Sequence, residues 1–100
     1  MGKDALTEFQ DYVMKYWPDG QRFSMIDLFI MSTGLGGESG EVLDLLKKSV
    51  RNGSEIKPEL LLELGDTLHY LTRIAHRFGF TLEQVMQANI DKLNVRHGRV

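Results

Sequence analysis

The spacing of apolar residues constrains this chain more than any other feature. Between Asp4 and Trp17, Leu6, Phe9, Val13 and Tyr16 recur at intervals of three or four, which gathers them on one side of a helix. "WPDG" then supplies a stop at Pro18 and a turn. Ser24 stands as an N-cap for a second helix from Met25 through Arg51, which "RNG" terminates. Pro58 in a first turn, with Glu59 and Glu63 behind it, opens a third helix. That helix carries Leu60, Leu64, Leu68, Leu71, Ala75 and Phe78 before Gly79 closes it. Thr81 and Gln84 form a capping-box pattern for a fourth helix through about Val95. With no period-two alternation, internal repeat or long linker, the spacing predicts an all-α four-helix bundle with short connections, one domain over residues 1–100. A monomer of this length buries only roughly two-thirds of its unfolded surface. Oligomerisation is therefore expected to complete the core.

The second helix contains a stretch that is unfavourable for stability alone. "TGLGGESGEVLDLLKK", Thr33 to Lys48, places Gly34, Gly36, Gly37 and Gly40 around two glutamates. Each interior glycine costs about 1 kcal/mol relative to alanine, so a kink or interruption is expected there. Gly34 and Gly37 flank the acidic side, where missing side chains would leave room for a substrate. Gly36 and Gly40 lie opposite and, with Ser32, make a small-residue strip suited to close helix approach. The stretch is no phosphate-binding loop, because it lacks G-x-G-x-x-G spacing, a following G-K-[ST] and a preceding strand.

The acids carry the chemistry. At about 100° per residue, Glu38 and Glu41 lie roughly 60° apart on helix two, and Glu63 and Asp66 repeat that arrangement on helix three. Glu38 has Met31, Gly34, Leu35, Val42 and Leu45 as its neighbours one and two turns away. Its carboxylate therefore emerges within an apolar stripe and demands a partner. On helix three Glu63 borders Leu60 and Leu64, while Glu59, Tyr70, Arg73 and Arg77 continue the polar side. Either pair alone reads as solvated surface acids. Two pairs on consecutive helices, one of them in an apolar stripe, favour convergence, where each close like-charge pair costs on the order of 3 to 4 kcal/mol. A hard divalent cation offsets this best, and Mg²⁺ or Mn²⁺ accepts all-oxygen coordination.

Helix four adds a second polar cluster. Asn89 and Arg96 interrupt a stripe of Leu82, Val85, Met86 and Leu93, with Lys92 beside them. A buried amide with two basic residues near a helix C-terminus has a structural reading; paired with an acidic metal site, the cluster suggests phosphate. His69, three residues after Asp66, reads as structural rather than catalytic. Trp17, Phe9, Tyr12 and Tyr16 read mostly as core and lid material. The net charge of −2 disfavours a stable nucleic-acid partner, and the absence of cysteine excludes disulfides, zinc thiolates and a thiol nucleophile. No apolar run approaches a membrane span and no signal-peptide core is present, so a cytoplasmic protein is the simplest expectation.

"GESGEVLDLLKK", "ELGDTLHYL" and "ANIDKLNVRHG" together resemble the MazG-like family of the all-α nucleoside triphosphate pyrophosphohydrolases, a superfamily that also includes dimeric dUTPases and phosphoribosyl-ATP pyrophosphohydrolase. The resemblance covers roughly the last two-thirds of the chain. It implies Mg²⁺-dependent cleavage between the α and β phosphates of a nucleoside triphosphate, giving the monophosphate and pyrophosphate. It also implies that Glu38, Glu41, Glu63 and Asp66 hold the metal, that Asn89, Lys92 and Arg96 contact substrate, and that Tyr70 lines the pocket. For the attacking water, Glu38 or Glu41 is the candidate to orient it, and Lys47 or Lys48 would join Lys92 and Arg96 at the departing pyrophosphate. Family members assemble as homodimers, frequently paired into tetramers. The same residues leave open a nucleotide- or metal-binding regulatory bundle without catalysis, and a helical interaction protein whose acids pair with Arg73, Arg77 or a partner.

Overall fold

A computed structural model describes residues 4–16 and 24–98. The order is α1 (Ala5–Lys15), α2 (Met25–Asn52), α3 (Lys57–Arg77) and α4 (Leu82–Arg96), with no strand among the described residues. The turn expected at "WPDG", and Trp17 with it, lies outside them.

Local side-chain chemistry sets the helix ends. Asp4 Oδ1 accepts from the Thr7 N–H at 2.8 Å and starts α1. Ser24 Oγ accepts from the Asp27 N–H at 2.9 Å, and Gly53 closes α2 at φ +67°, a left-handed conformation that glycine adopts at no steric cost. At the start of α3, Glu55 Oε1 accepts from the Lys57 N–H at 2.7 Å. That helix ends in a Schellman motif, with the Phe80 N–H donating to Ala75 O at 2.9 Å and Gly79 at φ +82°. The capping box opening α4 is present in both directions, Thr81 Oγ1 accepting from the Gln84 N–H and Gln84 Oε1 from the Thr81 N–H.

Helix two runs uninterrupted for 28 residues, correcting the expected kink at its glycines. Summed over so long a helix, the glycine penalties are outweighed by propagation on both sides. The helix is about 42 Å long at 1.5 Å per residue, matching the longest extent of the molecule, 43 Å. It packs antiparallel on α3: Asp27 meets Arg73, Gly34 meets Tyr70, and Glu38 meets Glu63 and Asp66. Each descent along α2 thus matches an ascent along α3. Helices α1 and α4 pack on α3 and on each other, and neither packs on α2. Gln10 Oε1 joins them by accepting the Leu82 N–H at 2.8 Å.

Helix α3 turns its acidic side to α2, the side on which convergence with Glu38 is expected, and leaves most of its leucines uncovered. Its polar side, with Glu63, Asp66, Tyr70 and Arg73, faces α2, while Leu61, Leu64 and Leu68 remain exposed. Arg73, expected on a polar surface, is only 2% exposed and donates from Nη2 to Oδ1 of the equally buried Asp27 at 2.6 Å. The buried apolar set among the described residues is short: Val13, Met31, Leu45, Ile56, Ala75 and Leu82. The face of α2 turned away from α3 exposes Met25, Phe29, Leu43 and Val50. Between these, Gly36 and Gly40 have no atom of the described residues within 4 Å of an added Cβ, so no described helix fills the small-residue strip. The Cα radius of gyration, 16.1 Å, exceeds the ~13 Å usual for a compact domain of this size. One chain leaves large apolar faces uncovered.

Candidate metal and phosphate site

Three acids meet across the α2–α3 interface. Glu38 from α2 and Glu63 and Asp66 from α3 each offer a carboxylate oxygen within 4.8 Å of the others. They do so because one turn of α2 and one turn of α3 run side by side in opposite senses, and because i,i+3 residues share a helix face. At such separations each charged pair repels by about 3 kcal/mol at an effective dielectric near 20. Glu38 shows the effect: burial first, then a hydrogen bond from its protonated form to Glu63, then the charges of Asp66, Glu63 and Glu41 push its carboxyl up to about 6. No lysine or arginine among the described residues forms an ion pair with the three acids. The buried Arg73 is committed elsewhere, to Asp27.

The set fits a hard divalent cation. Its donors are all carboxylate oxygens, no cation among the described residues pairs with them, and its spacing is close to the ~3 to ~4.2 Å between oxygens of an octahedral shell with bonds near 2.1 Å. Exposure on one side leaves room for water or substrate oxygens.

Glu41 stands one turn beyond Glu38, outside the closest trio. It lines an adjoining cleft of about 140 Å³ together with Asp44, Leu45, Lys48, Glu59, Leu62 and Glu63. Glu63 belongs to both, so trio and cleft form one continuous groove. Lys48 is on its wall, whereas Lys47 pairs with Asp44 at 3.9 Å on the open surface. One turn from the trio on both helices, the Tyr70 ring packs on Gly34. The space expected beside Gly34 for a substrate is thus filled by Tyr70; Gly37 does face open space. Asn89, Lys92 and Arg96 are exposed on α4, which packs on α1 and α3 but not on α2, and none of the three lines the cleft. His69 stacks edge-on against Tyr70, ring centroids 5.6 Å apart, and tilts toward Tyr16 at 6.5 Å. Burial and the Arg73 charge hold its imidazole below the usual value, with Asp66 opposing.

Asp27 was not among the residues singled out from the sequence. It sits eleven positions before Glu38, three turns along the same face, and that shared face with Met31 and Leu45 was the available signal.

Comparison with known proteins agrees with this geometry. The chain is 33% identical over 81 residues to the Gene 37 protein of Mycobacterium phage L5, covering 76% of this chain and 71% of that protein. No solved structure matches it significantly. Residues 30–100, which contain α3, α4 and nearly all of α2 with every acid of the groove, match the MazG nucleotide pyrophosphohydrolase domain, and the chain belongs to that family.

Proposed function

We propose that this protein is a Mg²⁺-dependent nucleoside triphosphate pyrophosphohydrolase, with Mn²⁺ as a substitute, that cleaves the α–β bond of an NTP or dNTP to give the monophosphate and pyrophosphate. The observation that carries this reading is the convergence of Glu38, Glu63 and Asp66 with no ion-paired cation among the described residues, in a chain of the MazG family. Bound there, the cation would screen triphosphate charge, polarise the α-phosphorus and acidify water. Glu38, Glu63 and Asp66 would hold it, with Glu41 joining from the adjoining cleft. Glu38 or Glu41, at the edge of the cluster, would orient the attacking water. Lys48 on the groove wall would meet the departing pyrophosphate, Lys47 would serve from the rim, and Tyr70 would border the substrate.

The remaining phosphate contacts require a second copy. Asn89, Lys92 and Arg96 stand exposed on α4, a helix that does not pack on α2, and none of them lines the cleft. The uncovered back of α2 and the exposed leucines of α3 are surfaces that association would bury. We therefore read the active form as a homodimer, or a tetramer built as a dimer of dimers, whose sites combine acids from one protomer with basic residues from another. No described helix is long and apolar enough to cross a membrane, and a cytoplasmic location suits soluble nucleotide substrates. That none of these three lines the cleft also favours, as a second reading, a nucleotide-binding bundle without catalysis.

Release of pyrophosphate from a panel of canonical and modified nucleotides, with Mg²⁺ or Mn²⁺, tests the proposal. Turnover of at least one nucleotide, lost in Asp66→Asn, supports it. Tight nucleotide binding without turnover selects the binding bundle instead.

A further inference from the structure

One turn from the trio on both helices lies a contact that the metal site does not need. A Cβ added to Gly34 would lie 2.6 Å from both Cδ1 and Cζ of Tyr70, and Cε1 is nearer still. Such separations are far inside van der Waals contact, so the ring occupies the place of a side chain at position 34. At Gly36, Gly37 and Gly40 an added Cβ meets nothing within 4 Å. Gly34 is thus the one described glycine of α2 whose missing side chain is filled by another residue. Around the ring, His69 presents an edge at 5.6 Å and the Arg73 guanidinium lies 5.9 Å from the ring centroid. Arg73 is itself fixed to Asp27 by a buried ion pair of 2.6 Å. On its Arg73 side the ring therefore faces a group held in a buried charge pair.

Position along the helices gives this contact its consequence. Gly34 precedes Glu38 by one turn, and Tyr70 follows Asp66 by one turn, so the ring borders the acid trio from both helices at once. We infer that Gly34 is a positioning residue: by leaving room for the Tyr70 ring it fixes the wall of the groove beside Glu38 and Asp66, and with it the placement of whatever binds to those acids. The inference rests on the proposed metal and nucleotide site. Gly34 touches no substrate itself; it acts through Tyr70. A side chain at position 34 displaces the ring or the helices, and either movement alters the wall beside groups that must be placed to within an ångström.

A double-mutant cycle with Gly34→Ala, Tyr70→Ala and the double variant tests this. The readouts are helicity and thermal midpoint without metal, Mn²⁺ affinity by EPR, and kcat and KM for a nucleotide that the wild type turns over. Gly34→Ala is expected to keep native helicity while weakening Mn²⁺ binding roughly 10-fold and lowering kcat/KM on the order of 100-fold. In the Tyr70→Ala background the same alanine is expected to change neither Mn²⁺ affinity nor kcat/KM, because its opponent is gone. Wild-type Mn²⁺ affinity and kinetics in Gly34→Ala overturn the inference, as does an equal loss in both backgrounds. If Gly34→Ala does not fold, the double variant must fold with the Mn²⁺ affinity of Tyr70→Ala alone; continued unfolding overturns it. The Mn²⁺ arm separates this inference from the enzymatic reading, because a wild type that binds Mn²⁺ and hydrolyses nothing removes the proposed reaction while leaving the cycle to be read.

Discussion

Replacing Glu38 by glutamine removes a charge that the metal-free protein holds at a cost. The carboxyl rises from 4.5 to about 6 on folding, chiefly through burial and then through its acidic neighbours. At about 1.4 kcal/mol per pKa unit, this amounts to no more than about 2 kcal/mol of destabilisation when Glu38 is fully ionised. The side chain is partly open to solvent, and screening reduces the figure to about 1 kcal/mol. The native state holds this proton more tightly than the unfolded state, so the associated stability is fully present below pH 4.5 and lost as pH rises through about 6. Glutamine resembles the protonated form at every pH. With chelator present, Glu38→Gln should match the wild type in acid and exceed it above about pH 6 by roughly 4–8 °C in Tm for each kcal/mol gained. Thermal unfolding at fixed protein concentration, from about pH 4 to about pH 8, reads the difference. Adding Mg²⁺ should reverse the order at high pH, because ligand binding to the native state raises only the wild type. Wild-type and variant midpoints that stay parallel across the range would refute the argument that the acid trio strains the metal-free fold.

Other perturbations separate the acids, the buried pair and the uncovered faces. Arg73→Met leaves Asp27 charged and buried, and should cost about 3–5 kcal/mol by denaturant unfolding, whereas Asp27→Asn with Arg73→Met together should cost much less. Glu41→Gln and Asp66→Asn should each abolish Mg²⁺-dependent pyrophosphate release and leave the metal-free circular dichroism spectrum native; collapse of both variants without metal makes these acids structural instead. A bulky Gly40→Trp at the open back of α2 should shift sedimentation toward monomer, with the wild-type Tm rising with protein concentration while the variant's does not. Thr81→Ala should cost about 1 kcal/mol by removing one half of the α4 capping box, with no change in Mn²⁺ affinity.

The helix ends were legible because their signals are local. Ser24, Gly53, Gly79 and the Thr81–Gln84 pair each satisfy backbone groups within a few residues, and the observed ends fall within one or two positions of those expected. Glu38 was also legible, as an acid in an apolar stripe. The side of α3 that meets α2 follows from the matched spacing of Glu63 and Asp66 with Glu38 and Glu41, but the burial of Arg73 and the exposure of Leu61, Leu64 and Leu68 do not. Helical periodicity groups those leucines without saying whether one chain covers them. The partner of Arg73 lies 46 residues away, and no spacing rule reaches that far. The glycines divided differently from their expected roles for a similar reason: whether Gly34 is vacant or filled depends on a ring from another helix.

The central claim is that Glu38, Glu63 and Asp66 hold a divalent cation between α2 and α3. Mn²⁺ titration by EPR, on the wild type and on Asp66→Asn at neutral pH, tests it without assuming any substrate. The account predicts saturable binding to the wild type, competition by Mg²⁺, and loss of that binding in the variant while its helicity is preserved. A wild type that binds no Mn²⁺, or a variant that binds it equally well, contradicts the account.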